Sequence, residues 1–308
     1  MSVRIGINPL TWSNDDLPSL GGDTPLEVCL REACEAGYAG IELGNKFPRE
    51  AGVLRPLLER HHLALVSGWY GSRLLERSVE DEIAALAAHR DLLRAMGCAV
   101  MVFAEVSGCV HGRRDVALSR RPVLDAAALR RLATGLTAVA RHLGDHGIRL
   151  AYHHHVGTVI ETAEEVDRLM AATGDEVGLL LDTGHLRLGG GEPAATAERH
   201  AARVVHVHCK DVRTPVMAAM RARDASFLDG VLDGVFAVPG DGDIDFAAVL
   251  RPLARAGYAG WLVVEAEQDP ARAHPLTHAR MGFRHLSSVA TAVGLAPAGV
   301  FGPPEDAR

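Results

Sequence analysis

Lysine is almost missing from this chain. Of its 32 Lys and Arg residues only Lys46 and Lys210 are lysines. The abundance of arginine and alanine suggests a GC-rich genome, in which a surviving lysine marks a place that wants a compact ammonium with a tunable pKa. Net basic charge is missing too: 39 Asp and Glu leave a formal charge of -7. That gives no basic surface on which phosphates could be neutralised, which counts against a nucleic-acid partner. No apolar run approaches the roughly 20 residues that span a bilayer, and Met-Ser-Val-Arg opens directly into a strand with no leader, so a cytoplasmic protein without a membrane partner is expected. The five cysteines, Cys29, Cys34, Cys98, Cys109 and Cys209, form no CxxC pair and read as reduced, mostly buried thiols. Neither G-x-G-x-x-G nor G-x-x-x-x-G-K-[ST] occurs, so nucleotide cofactors have no support.

What is present suffices for a large core: 308 residues, 48% hydrophobic and 23% charged. Read in order, strands are expected at 3–8, 39–46, 63–70, 99–106, 148–156, 177–182, 204–211 and 261–268, with helices between them and a last helix at 275–292. Eight alternations favour a single α/β (β/α)8 TIM barrel spanning 1–308 over an open sheet, with an insertion at about 213–243 and a Pro/Gly-rich tail at about 295–308. Ala36-Gly-Tyr-Ala-Gly40 returns as Ala256-Gly-Tyr-Ala-Gly260, each copy stopping a helix and starting a strand, as a repeated αβ unit should. The polar loop 9–24, with Trp12, Asn14, Asp15 and Asp16, is a candidate binding loop, and an Arg-rich polar loop covers 107–122.

The chemistry gathers at strand ends. Val177-Gly-Leu-Leu-Leu-Asp182 reads as a strand buried on both faces that finishes in a carboxylate. Asp182 either caps the following helix or carries a charge that something at the barrel mouth requires. Period-two alternation turns His153 and His155 inward and His154 outward. It turns His206, His208 and Lys210 to the axis, with Val205, Val207 and Cys209 facing the helices, and sets Glu265 and Glu267 on one face. His153, Asp182, His208 and Glu265 thus converge as two imidazoles and two carboxylates. Such a set suits a divalent ion, Mn²⁺, Co²⁺, Zn²⁺ or Fe²⁺. Without an ion, Lys46, Lys210 and the histidines would have to neutralise the carboxylates.

Asp182-Thr-Gly-His185, His206-Val-His208-Cys-Lys-Asp211, Gly240-Asp-Gly-Asp-Ile-Asp-Phe246 and Val264-Glu-Ala-Glu-Gln-Asp269 resemble the xylose-isomerase-like TIM barrel superfamily of sugar isomerases, epimerases and endonuclease IV. Asn8-Pro-Leu-Thr-Trp-Ser-Asn-Asp-Asp16, Gly44-Asn-Lys-Phe-Pro48, Tyr152-His-His-His-Val-Gly-Thr158 and Gly260-Trp-Leu-Val-Val-Glu-Ala-Glu-Gln-Asp-Pro270 are similar to the inosose dehydratases of myo-inositol catabolism. The resemblance implies a hydro-lyase that removes water from 2-keto-myo-inositol, a polyol ketone, to give a trihydroxycyclohexane-1,2-dione. It implies a divalent metal, Mn²⁺ or Co²⁺ ahead of Zn²⁺ or Fe²⁺, and brings glutathione as a further cofactor and a homo-oligomer into view. His155 is the expected base and Lys46 or Lys210 the expected acid or oxyanion partner, unless Lys210 is only ion-paired to Glu42 or Asp211. Glu161 is a further catalytic candidate. Asn8, Trp12, Asn14, Glu42, Trp69, His185, Asp211 and Glu267 are expected around the substrate, with Tyr70 beside Trp69. Related isomerases and epimerases commonly carry a glutamate ligand where this chain has His153, which favours the lyase over the alternative, a metal-dependent ketose or hydroxypyruvate isomerase or epimerase. A DNA-repair endonuclease would need extra early-strand histidines and a basic groove; the segment 63–70 ends in no histidine.

Overall fold

The computed structural model describes residues 2–298; Met1 and Gly299 onward, and with them most of the expected tail, lie outside the described residues. Parallel strands β1 (Ser2–Ile7), β2 (Gly40–Leu43), β3 (Ala64–Ser72), β4 (Val100–Glu105), β5 (Arg149–His153), β6 (Val177–Asp182) and β7 (Val204–Cys209) pair in sequence order. After two short strands, β8 (Asp211–Val212) and β9 (Phe236–Ala237), β10 (Trp261–Val264) pairs with both β7 and β1 and closes the barrel. Near the carboxyl end of the chain, β11 (Ala296–Pro297) adds to the start of β1.

Helices α1 (Leu26–Ala36), α2 (Ala51–Glu59), α3 (Val79–Ala95), α4 (Ala126–Asp145) and α5 (Ala163–Ala172) follow the first five strands. The chain then forms α6 (Thr183–Leu188), α7 (Pro193–His200), α8 (Thr214–Ala222), α9 (Phe227–Asp233), α10 (Phe246–Arg255) and α11 (Pro275–Ala292). Their ends are written locally. Ser78, Asp125 and Asp245 cap α3, α4 and α10 with side-chain oxygens, Thr162 and Glu165 form a reciprocal capping box on α5, and Gly37, at φ 102°, ends α1 in the left-handed region.

Ile148, Leu150 and Tyr152 of the β5 segment pack in the mantle between strands and helices, as do Val207 and Cys209 of β7. The barrel axis is filled instead by two small clusters, Val100, Val102, Ala151 and Leu180 against Val205, and Val66, Trp261 and Val263 against Ala39. Alternation from Ala151, Leu180 and Val263 then turns His153, Asp182 and Glu265 inward above those clusters. Val205 is the exception to the expected alternation. Register slips between the Leu179–Val204 and Leu180–His206 pairs, so a bulge turns Val205 inward and restores His206 and His208 to the axis. Lower down, the Arg4 guanidinium lies 4.0 Å from the centre of the Trp261 ring. Gly40 makes room for that indole, since a Cβ there would stand 2.8 Å from its edge.

Residues 213–243 fold as α8, α9 and the strand β9, which pairs with β8, around a small core of Met217, Met220, Phe227, Val231 and Phe236. No helix among the described residues is long and apolar enough to cross a membrane.

Candidate active site

Four strand ends deliver the central donors. His153 ends β5, Asp182 ends β6, His208 is the penultimate residue of β7, and Glu265 follows directly on β10. His153 Nε2 and His208 Nδ1 each lie 3.5 Å from Asp182 Oδ2, and His208 Nδ1 lies 2.6 Å from Glu265 Oε2. His153, Asp182 and His208 offer ligand atoms all within 4.8 Å of one another, and Asp182 and Glu265 do the same together with His185. Asp182 performs both of the jobs between which its sequence left a choice. Its Oδ1 accepts the His185 amide at 2.8 Å and caps α6, while its Oδ2 is buried and has no hydrogen-bond partner.

The donor set fits a divalent cation. Asp182 Oδ2 is buried without a hydrogen-bond partner, which is expensive unless a ligand satisfies it, and His208 Nδ1 and Glu265 Oε2 stand beside it as further donors. The other nitrogen of His208 is committed, with Nε2 3.1 Å from Glu42 Oε2, the carboxylate-to-imidazole support that metal-bound histidines usually have. Glu42 is steadied in turn by His206 Nε2 at 2.9 Å and Asn8 Nδ2 at 2.8 Å. The field of the site calls for positive charge. Burial pulls the His208 pKa down, but Glu265 and Glu42 more than reverse it and hold the imidazole well above its ordinary value, so that a bound cation would take the place of its proton. Burial would raise Asp182, yet the neighbouring His185 ring and the Lys210 ammonium hold its carboxylate well below the usual range.

Lys210 is wholly buried beneath this centre. Its Nζ lies 2.7 Å from Glu265 Oε1, 2.8 Å from Glu267 Oε1 and 2.8 Å from His185 Nε2. These partners replace the Glu42 and Asp211 pairings considered from sequence, and despite burial they raise the lysine above its ordinary pKa. Gly184 explains how a helix turn can pass so close: a Cβ there would meet the Lys210 side chain at 2.5 Å. Burial pushes Glu267 up to about 7, with Lys210 opposing. Asn14 Nδ2 donates to Glu267 at 3.2 Å, so Asn14 acts through that carboxylate.

His155 faces the cavity with its tautomer fixed. Nδ1 stands 2.7 Å from the Val156 carbonyl, which can only accept, so Nδ1 carries the proton and Nε2 holds the lone pair. Burial and the neighbouring His111 and His153 hold its pKa well below the ordinary value. The ring lies tilted by 39° against that of His185, with centroids 3.7 Å apart. Trp69, 39% exposed, stands edge-on to His153 and His155, at 5.2 and 5.7 Å between centroids. His155 and Trp69 open on a cavity of about 200 Å³ lined also by Asn8, Glu42, His208, Glu265 and Glu267, whereas His153 and His185 lie behind its wall.

Several expected residues are engaged elsewhere. Lys46 Nζ donates to the Gly21 and Thr24 carbonyls at 2.9 and 2.6 Å, which fastens the loop after β1, and it does not line the cavity. Asp211 accepts the amides of Val212, Gly240, Gly242 and Ile244 and so clamps the insertion to the barrel. Glu161 accepts the Gly157 amide at 2.8 Å and pairs with Arg121 at 3.3 Å. Trp12 is fully buried, its indole donating to Glu32 at 2.6 Å, and Tyr70 donates to Glu82 at 2.6 Å. In each case backbone or outer-layer partners claim the polar group. Asp15 and Asp16 of the candidate binding loop line the cavity, and Asn45, Arg49 and His111 line it without having been singled out as site residues. The only sequence signal for them was their position in the loops that follow strands.

A closed parallel barrel with a donor set able to hold a cation at the carboxyl ends of its strands defines a TIM-barrel enzyme. The chain belongs to the family described as xylose isomerase-like TIM barrel, matched over residues 30–289. It is 52% identical to the rhizopine catabolism protein MocC of Rhizobium meliloti, over 96% of this chain and 90% of that protein. It is 41% identical to an inosose dehydratase of Glaesserella parasuis serovar 5 (strain SH0165), over 94% of this chain and 98% of that protein. Among solved structures, an L-ribulose 3-epimerase matches with a TM-score of 0.66 at 18% identity, covering 94% of this chain and 95% of its own, a likeness of fold.

Proposed function

We propose that this protein is a hydro-lyase that removes water from 2-keto-myo-inositol to give a trihydroxycyclohexane-1,2-dione in myo-inositol catabolism. The observation that carries the reading is the 41% identity to an inosose dehydratase along essentially the full length of both chains. The cavity supplies parts that suit the reaction. Dehydration next to a ketone needs a base for the α-proton, stabilisation of the enediolate oxygens and a proton for the departing hydroxyl. Nε2 of His155 is the base. His153, Asp182, His208 and Glu265 would hold the divalent ion, Mn²⁺ or Co²⁺ ahead of Zn²⁺ or Fe²⁺, and the ion when bound supplies Lewis-acid polarisation of the ketone. Trp69 offers an aromatic wall for one face of the polyol ring. Asn8 and Glu267 present polar groups to its hydroxyls. Lys210 keeps Glu265 charged and holds Glu267 in place rather than meeting the substrate.

The deciding experiment is ultraviolet detection of the dione from 2-keto-myo-inositol with metal-analysed enzyme, reloaded with Mn²⁺ or Co²⁺ and run with and without glutathione. Formation of the absorbing product establishes the lyase. Ketose interconversion without it would instead establish an isomerase or epimerase.

A further inference from the structure

With Lys46 fastened to a loop and Lys210 buried under the carboxylates, neither lysine reaches a departing hydroxyl, and the chemistry above lacks its proton donor. We propose that His111 supplies that proton, an inference that rests on the dehydratase reading.

His111 lies in the loop between β4 and α4 and lines the same cavity as His155. Its ring centroid lies 4.9 Å from that of His155 and 6.5 Å from that of Trp69. The side chain is 9% exposed, and its Nδ1 is buried with no hydrogen-bond partner. Two features hold it there. Gly157, at φ +82°, lets the chain after His155 pass beneath the loop, where a Cβ would meet the His111 amide nitrogen at 3.0 Å. On the other side, His111 Nε2 faces Asp16 Oδ1 of the loop after β1 at 3.9 Å.

The other polar groups of the cavity suit the task less well. The Arg49 guanidinium is engaged in donating to the Gly44 carbonyl. Asp15 is tied to the Asn45 amide, and Glu267 is pinned by Lys210 and Asn14. His155 and His111 are two imidazoles side by side, of which one has its lone pair presented to the cavity and the other faces a carboxylate. The bond changes balance between them. His155 Nε2 takes the α-proton and the C–H electron pair passes into the enediolate. That pair then forms the C=C bond as the β C–O bond breaks, and the oxygen leaves with the proton of His111 as water. His155 ends protonated and His111 deprotonated, and exchange with solvent restores both.

The test separates the two proton transfers with the metal-loaded enzyme. In D2O, His111→Gln should still wash deuterium into the α position of 2-keto-myo-inositol while forming dione at least about 10²-fold more slowly than the parent. A substrate analogue carrying fluoride in place of the departing hydroxyl needs no proton to lose its leaving group, and His111→Gln should eliminate it at close to the parental rate. His155→Gln should lose exchange and both eliminations. Dione formation by His111→Gln at the parental rate overturns the assignment, and so does loss of exchange and fluoride release in that variant with an unchanged melting temperature, which would make the residue structural. A parent enzyme inert toward 2-keto-myo-inositol would refute the dehydratase reading itself, and the assignment of His111 with it.

Discussion

Lys210 Nζ stands 2.8 Å from His185 Nε2. An ammonium can only donate, so the imidazole accepts at Nε2 and is neutral. The same ammonium touches Glu265 and Glu267, so one buried cation holds two carboxylates and a neutral imidazole at once.

Lys210→Met is therefore expected to leave buried carboxylates without their counter-charge and to lower stability by about 3–5 kcal/mol. Chemical denaturation of the metal-free protein measures it. Retention of parental stability would mean that the lysine is dispensable to the fold.

Asp182→Asn keeps an oxygen to cap α6 and removes the charge that faces His153 and His208. Metal content and turnover should both vanish while far-ultraviolet circular dichroism is unchanged. Glu265→Gln should behave alike. Parental activity in either variant would exclude that residue as a ligand.

Chelation should abolish activity and lower the melting temperature, because a cation bound only by the folded state adds about 2.7 kcal/mol at a hundredfold excess over its Kd. Readdition of Mn²⁺ or Co²⁺ should restore both quantities. Differential scanning calorimetry across a metal titration is the measurement.

Trp69→Ala removes a wall without touching the donor set. KM should rise by roughly 2- to 13-fold, the equivalent of about 0.5–1.5 kcal/mol of aromatic contact, with kcat little changed. A fall in kcat at constant KM would assign Trp69 to positioning His153 or His155 instead.

Gly184→Ala drives a methyl group into the Lys210 stem, an overpacking worth about 1–3 kcal/mol. Activity should fall further than stability does, because the displaced lysine carries Glu265 with it. Equal losses of both would mean that the helix turn yields and the lysine stays.

The barrel and its inward-facing donors were legible because a strand's alternation and its end position are local properties. Once Ala151 and Val263 point inward, His153 and Glu265 have no other choice. Val205 broke the pattern because a bulge depends on the neighbouring strand. Lys46, Asp211, Glu161 and Trp12 misled for a different reason. Their partners are backbone carbonyls, backbone amides or outer-layer side chains brought near only by the fold, so an isolated charge or indole near a strand end looked functional. His111 escaped notice because a loop without periodicity gives no direction to any of its side chains.

Below the donor set the axis is blocked by Trp261 under Arg4, with Val66 and Val263 beside it. Ketone, dione and expelled water then share the cavity mouth beside the segments carrying Asp16 and His111. Turnover can be no faster than that mouth clears, and congestion there, whether from viscosity or from accumulated product, should slow the enzyme before the chemistry does.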